Sequence, residues 1–225
     1  MLQSQHTKLI SEDAAGSITT YCSSTTNSLG YGEIVPQTII RAIHQIKNYS
    51  NGCLSLDTCN EQNYLLKTGG KSKVVDLGSG TGRVLFAAAL THSFAYAVGI
   101  EIVHGLHAQA LQNWKRWNEN ELIGASRVIE PGTKFHFICG DMAEYQDMID
   151  DASLVIVHAT LFDEKLMDVV QQLCESCFSG DAACSTWFVM VSKPLRGPRF
   201  ETLSVEHCRM SWGYACVYIQ RSVSQ

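Results

Sequence analysis

The stretch that most constrains this chain is residues 74–89, VVDLGSGTGRVLFAAA. A short apolar run leads into Gly78, Gly80 and Gly82, set at every second position, and an apolar helix-forming segment follows. Glycine takes backbone conformations that a Cβ forbids, so such a turn can be tight and can let a ligand come close to the main chain. If a helix opens behind it, unbonded N–H groups and the helix dipole favour a negatively charged group there. Strand, glycine turn and helix in that order predict a parallel α/β unit with its binding end at the carboxyl terminus of the strand.

The remaining text repeats the alternation. Pro36 stands at the start of a segment whose Ile39, Ile43 and Ile46 share one helical face. Residues 95–100 read as a second strand ending on Glu101, and residues 104–122 as a helix whose Leu106, Ala110, Trp114 and Trp117 form a core stripe. Residues 135–139 form a third strand before Gly140-Asp141-Met142, and residues 154–157 a fourth before His158. The helix after it carries Phe162, Leu166, Val169, Val170 and Leu173 on one side. Residues 187–191 are a fifth strand, and residues 201–210 and 214–220 a hairpin turning at Trp212-Gly213. Strands alternating with helices imply a doubly wound, mostly parallel sheet covered on both faces. With a closing antiparallel hairpin this predicts a Rossmann-like α/β fold with a seven-stranded sheet, the layout of methyltransferases. Residues 73–225 form the core, residues 28–72 a helical and loop segment completing the cofactor site, and residues 1–27, polar and rich in Ser and Thr, an arm that is mobile or draped over the domain.

Which cofactor the turn serves follows from what surrounds it. A dinucleotide loop wants G-x-G-x-x-G, but the third glycine position from Gly78 is Arg83. The spacing is D-x-G-x-G-x-G, with Asp76 at the strand end to meet an ammonium. Glu101 ends the second strand, where a carboxylate can accept two hydrogen bonds from a ribose diol. Asp141 ends the third, offering a carboxylate to an adenine amino group, with Met142 and Ile102 as apolar neighbours. Three acidic tips and one glycine turn describe S-adenosylmethionine. Candidate cofactor residues are therefore Tyr31, Glu33, Asp76, Gly78, Ser79, Gly80, Gly82, Glu101, Ile102, Asp141, Met142 and His158. Acidic residues at strand ends also arise from turn propensity, which is the plain alternative for each taken singly.

Composition narrows the compartment and the partners. With 17 Lys and Arg against 22 Asp and Glu, the net charge of -5 gives no footprint for strong nucleic-acid binding. Nine cysteines without an N-terminal signal pattern predict a reducing compartment, cytosol or nucleus, and a protein that is not secreted. No apolar run approaches a spanning helix, so no membrane association is expected. Cys174, Cys177 and Cys184 lack a second CxxC pair and read as ordinary packed or surface thiols, so no metal site is expected.

Several stretches together resemble the disruptor-of-telomeric-silencing family, histone lysine methyltransferases that lack a SET domain. Tyr31-Gly32-Glu33 before a helix is similar to that family's cofactor-closing loop. VVDLGSGTGR, GIEIV with Glu101, NWKRW, ICGDM with Asp141, VSKP at residues 191–194 and Ser211-Trp212 follow in the family's order. The resemblance runs from about Gly30 to Gln220, and its specificity comes from YGE, SKP and SW together. After the fourth strand the family has two asparagines and a phenylalanine-rich loop, where this chain has His158-Ala159-Thr160-Leu161-Phe162, and only Phe162 matches. The family's lysine-rich nucleosome-gripping flank has no counterpart here.

The resemblance implies methyl transfer to a lysine amine of a protein, with a histone or nucleosome as the expected partner. An apolar channel suits a neutral amine, since burial disfavours the charged form. Phe162 and Trp212 are expected to line it, with Tyr31 near the methyl group and His158 facing the transferred methyl, where it can accept a proton or hydrogen-bond the substrate, making these four the catalytic candidates. Taken singly, Phe162 and Trp212 read first as core aromatics, while the plain alternatives are a polar loop residue for His158 and helix N-terminal charge compensation for Glu33. Lys193 reads as a solvated strand-end charge, with Ser192-Lys193-Pro194 as part of the site wall the alternative. Two other functions fit the same text: a small-molecule methyltransferase, and a noncatalytic module that binds S-adenosylmethionine for regulation. Methylation of a base amino group is disfavoured, because the Asn- or Asp-Pro-Pro-aromatic sequence expected after the fourth strand is absent.

Overall fold

A computed structural model describes residues 33–49, 72–119, 133–177 and 185–223. The arm at residues 1–27, the Tyr31-Gly32 pair, the connection at residues 50–71, the last residues of the helix predicted to reach Leu122, and Cys184 lie outside the described residues.

Helix α1, Pro36–Tyr49, opens on a proline whose missing N–H costs nothing in a first turn. Its Ile39, Ala42, Ile43 and Ile46 are all buried at the spacing of one helical stripe. Strand β1, Lys73–Leu77, is buried at every residue, as a central parallel strand must be when helices cover both faces. The chain continues through α2 (Arg83–Thr91), β2 (Tyr96–Glu101), α3 (His104–Asn118), β3 (Lys134–Cys139), β4 (Leu154–His158), α4 (Glu164–Ser176), β5 (Trp187–Val191), β6 (Phe200–Met210) and β7 (Gly213–Ser222). Three short 3-10 turns, Met142–Glu144, Gln146–Met148 and Ala159–Leu161, flank β4.

The strands form one seven-stranded sheet in the order β3-β2-β1-β4-β5-β7-β6. The first five are parallel, and β7 enters antiparallel between β5 and β6, pairing Val191 with Val217 and Val189 with Ile219. β6 and β7 form a long antiparallel hairpin with a register shift between Thr202 and Ser204. The predicted architecture, including the closing hairpin, is thus observed.

Because side chains alternate across a strand, consecutive residues of β1 feed different cores. Val74 packs with Ile39, Ile43, Leu85 and Ile156 on the face covered by α1 and α2. Val75 and Leu77 pack with Ile100, Val157, Val170 and Leu173 on the face covered by α4. The alternation also places Asp76, Glu101 and His158 on the α1 and α2 face at the carboxyl ends of three adjacent strands.

The stripe predicted for α3 is only partly an interior one. Ala110 is buried, whereas Leu106, Trp114 and Trp117 are half-buried. Helix α3 lies toward the β3 edge of the sheet, and Trp117 completes an aromatic cluster, stacking on Phe86 with ring centroids 5.0 Å apart and meeting Phe135 at 5.6 Å. Large amphipathic rings can close a core from its rim, and helical spacing alone does not distinguish rim from centre. Among the described residues no helix is long and apolar enough to cross a membrane.

Candidate active site

All three glycines of the turn have positive φ: 80° at Gly78, 53° at Gly80 and 79° at Gly82. At Gly82 the conformation is reinforced by space, since a Cβ there would sit 2.7 Å from the Phe137 ring. Gly78 lies under Phe162, whose ring would be 3.4 Å from a Cβ added at that position. The turn is further tied down by the end of β2, where Gly78 and Ser79 both donate backbone N–H groups to the Ile100 carbonyl, at 2.9 and 3.0 Å. Ser79 is buried, its hydroxyl filling the space that a Cβ at Gly99 would need.

Glu101 faces this turn. One carboxylate oxygen accepts the Gly80 N–H at 2.8 Å and the other accepts the Val103 N–H at 2.7 Å. Beside it Ile102 is an exposed apolar side chain, 62 % accessible. Asp76 is 2 % exposed, and no donor among the described residues bonds its carboxylate. Burial pushes the Asp76 carboxyl up to about 8, with the nearby Glu101 charge adding to the rise. Among the described residues no cation stands beside it, and a buried carboxyl of this kind can receive a cationic ligand.

At the end of β3, Asp141 caps the following short turn by accepting the Ala143 N–H at 3.0 Å, and is exposed. Gly140 donates its N–H to the Glu101 carbonyl at 3.1 Å, joining the two acidic tips. Met142, expected to present an apolar face, is 8 % exposed and packs in the α4-side core, so Ile102 is the open apolar neighbour.

Glu33 is bound rather than free. Its carboxylate accepts from the Thr81 hydroxyl at 2.9 Å and pairs with Arg83, both at the start of α2. Its backbone N–H donates to Ser211 Oγ at 2.9 Å, and the Ser211 N–H donates back to the Glu33 carbonyl at 3.4 Å. The two short motifs flanking Glu33 and Trp212, 178 residues apart at this bond, therefore meet beside the glycine turn. Asn113 adds a bond from α3 to the Thr81 carbonyl at 3.0 Å.

On the far wall, His158 stacks on Trp212 with centroids 4.7 Å apart and planes at 26°. Burial holds its imidazole down at about 4, so the ring is neutral at physiological pH. Its Nε2 lies 2.9 Å from Thr160 Oγ1, which lies 2.6 Å from Ser192 Oγ. Lys193 is not simply solvated: its Nζ donates to the Phe162 carbonyl and stands 4.0 Å from Glu164. The segment behind it is fixed by Gln220, which exchanges bonds with both the N–H and the carbonyl of Leu195, at 2.8 and 3.0 Å. Of the predicted residues only Tyr31 lies outside the described ones. Thr160, Ser192 and Ser211 stand in the short motifs quoted above and Thr81 in the glycine turn, but their bonds across the site were not foreseen, because a hydroxyl that reaches across tens of residues leaves no local pattern. Cys174 and Cys177 are buried free thiols, and among the described residues no three His, Cys, Asp or Glu side chains gather as metal ligands do.

The residues present fit S-adenosylmethionine: a buried carboxyl that has no cation beside it among the described residues, a glycine turn with a helix behind it, and a second carboxylate at the next strand end. Sheet order and glycine turn together define a class I S-adenosylmethionine-dependent methyltransferase fold. Solved structures share that fold. One is a putative methyltransferase from Escherichia coli, 11% identical over 82% of this chain and 86% of that one, with a TM-score of 0.53. Another is magnesium protoporphyrin IX methyltransferase from Synechocystis PCC 6803 with bound SAH, 12% identical over 83% of this chain and 82% of that one, with a TM-score of 0.52. No curated protein sequence matches the chain significantly. The family described as histone methylation protein DOT1 matches residues 13–204, and the chain belongs to that family.

Proposed function

We propose that this protein transfers a methyl group from S-adenosylmethionine to a lysine amine of a protein, with histones as the first candidates and the nucleus as the expected place of action. The observation that carries the reading is the buried Asp76 carboxyl, pushed up to about 8 beside Glu101 and a positive-φ glycine turn, in a chain of the DOT1 family. Asp76 would meet the ammonium of the cofactor, the N-terminus of α2 its carboxylate, Glu101 its ribose, and Asp141 with Ile102 its adenine. Tyr31 would complete the site from the N-terminal side, anchored through Glu33. When bound, the cofactor supplies an electrophilic methyl on a sulfonium, so the protein's task is to position the nucleophile and exclude water.

His158 serves here as a hydrogen-bond partner and not as a proton sink. Moving a proton from an ordinary lysine ammonium at ~10.4 to this ring would climb about six pKa units, on the order of 8 kcal/mol. The amine therefore enters neutral, its proton left to solvent, and the half-buried Phe162 with Trp212 favours that form by withholding water.

The acceptor is tested by incubating the protein and methyl-labelled cofactor with nucleosomes, free histones and a cell extract fractionated by size. Label in a protein fraction, resistant to RNase and lost in His158→Ala, is the expected result. Label confined to small molecules would replace the lysine reading with a small-molecule one. Cofactor binding without any labelled product would instead make the chain a regulatory module.

A further inference from the structure

The hydroxyls behind His158, Thr160 Oγ1 and Ser192 Oγ, are not among the groups assigned above to the cofactor. Ser192 follows β5 with φ of 73°, the one positive-φ residue other than glycine among the described residues. A side chain in that region is strained and persists only where its surroundings enforce it, a pattern that gathers at functional sites. Two contacts enforce it here: the Ser192 N–H donates to the Cys216 carbonyl of β7 at 2.8 Å, and the Ser192 hydroxyl meets Thr160 Oγ1 at 2.6 Å. Thr160 in turn stands 2.9 Å from His158 Nε2, while Trp212 covers the face of the imidazole. The ring is thus fixed about both its plane and its edge. Nδ1 is the ring nitrogen without a hydrogen-bond partner among the described residues.

A neutral imidazole has one donor and one acceptor nitrogen, and the partner of one decides the role of the other. The two hydroxyls can run in either direction, and in one of them Thr160 accepts from Nε2–H while donating its own O–H to Ser192. We propose that Thr160 and Ser192 are positioning residues that hold His158 as the Nε2–H tautomer, leaving Nδ1 to accept a hydrogen bond from an N–H of the methyl acceptor. This rests on the reading of His158 as the residue facing the nucleophile. An amine attacking through its lone pair still carries N–H groups that need an acceptor, which this tautomer supplies. A thiolate or phenolate nucleophile would need the opposite tautomer, a donor at Nδ1.

The test needs no substrate. The full chain carrying 15N-labelled histidine is measured by long-range proton–nitrogen correlation at neutral pH, with His158→Ala assigning the ring. The wild type is expected to show protonated Nε2 and unprotonated Nδ1 in a single tautomer. Thr160→Val should move both nitrogens toward the average of the two forms, and Ser192→Ala should do so more weakly, which also covers the case of a Thr160 variant that fails to fold. Thr160→Ser should restore the wild-type pattern. Once an acceptor is in hand, Thr160→Val should lower kcat about tenfold, the worth of one hydrogen bond. A wild-type ring protonated at Nδ1, or one indifferent to both substitutions, would overturn the proposal whatever the protein methylates. A correct ring in a protein that transfers no methyl group would count against the methyl-transfer reading alone.

Discussion

Asp76 illustrates how function is held against stability at a single residue. Its carboxyl titrates near 4 in the unfolded chain and at about 8 in the folded one. The folded state therefore binds more protons between those values, so stability is full below pH 4 and falls as pH rises toward 8. His158, held down at about 4, acts in the opposite sense, its contribution being full above 6.5 and lost as pH falls through 4. Asp76→Asn removes the first slope and leaves the second. Without ligand that variant should melt several degrees higher than wild type at pH 8, and the advantage should vanish near pH 4. It should also lose cofactor binding. A variant melting below wild type at every pH would make Asp76 a structural residue. Gly82→Ala tests the turn itself: with φ of 79° and the Phe137 ring 2.7 Å from the new Cβ, it should cost about 1–3 kcal/mol in urea unfolding. Unaltered stability would mean the turn has room that its geometry denies. The glycines, Asp76 and Glu101 were legible in the sequence because backbone demands and strand ends are local. The proton affinities were not, since they depend on burial that only the packed sheet creates.

At the scale of elements, regular structure follows from periodicity and the joints do not. Every strand and helix expected between residues 73 and 222 is present, with limits moved by a few residues where turns and caps decide them. What periodicity could not supply was the depth of α3, whose tryptophans seal the rim of the core, or the role of Lys193 in tying the loop after β4 to the loop after β5. The joint between Glu33 and Ser211 is the most consequential of these. It fastens the segment before α1 to the β6–β7 turn, with Thr81 and Arg83 holding the carboxylate from the glycine turn. Ser211→Ala removes one acceptor and should cost less than about 1.5 kcal/mol overall. Amide exchange at residues 33–35 should nevertheless quicken markedly, because this joint ties their backbone to the β6–β7 turn. Exchange unchanged from wild type would show that the joint does not hold the segment.

For the whole molecule, the sheet order brings three carboxyl strand ends to one side, and the turn of the antiparallel hairpin meets one of them where Trp212 stacks on His158. The fold and family are plain, and the net charge of -5 means that any nucleosome contact must come from local surface or from a partner. The claim on which everything else depends is that Asp76 and Glu101 hold S-adenosylmethionine. Glu101 also supports the turn through Gly80 and Val103, so binding and folding must be read together. The direct measurement is calorimetric titration of S-adenosylmethionine into the wild type and Glu101→Gln, alongside their thermal melts. Saturable one-to-one binding by the wild type, weakened ten- to a hundredfold in a Glu101→Gln protein that still melts cooperatively, is the predicted result, in line with a lost charge-assisted pair worth about 1.5–3 kcal/mol. A folded wild type that takes up no S-adenosylmethionine, or a folded variant that binds it equally well, would contradict the account.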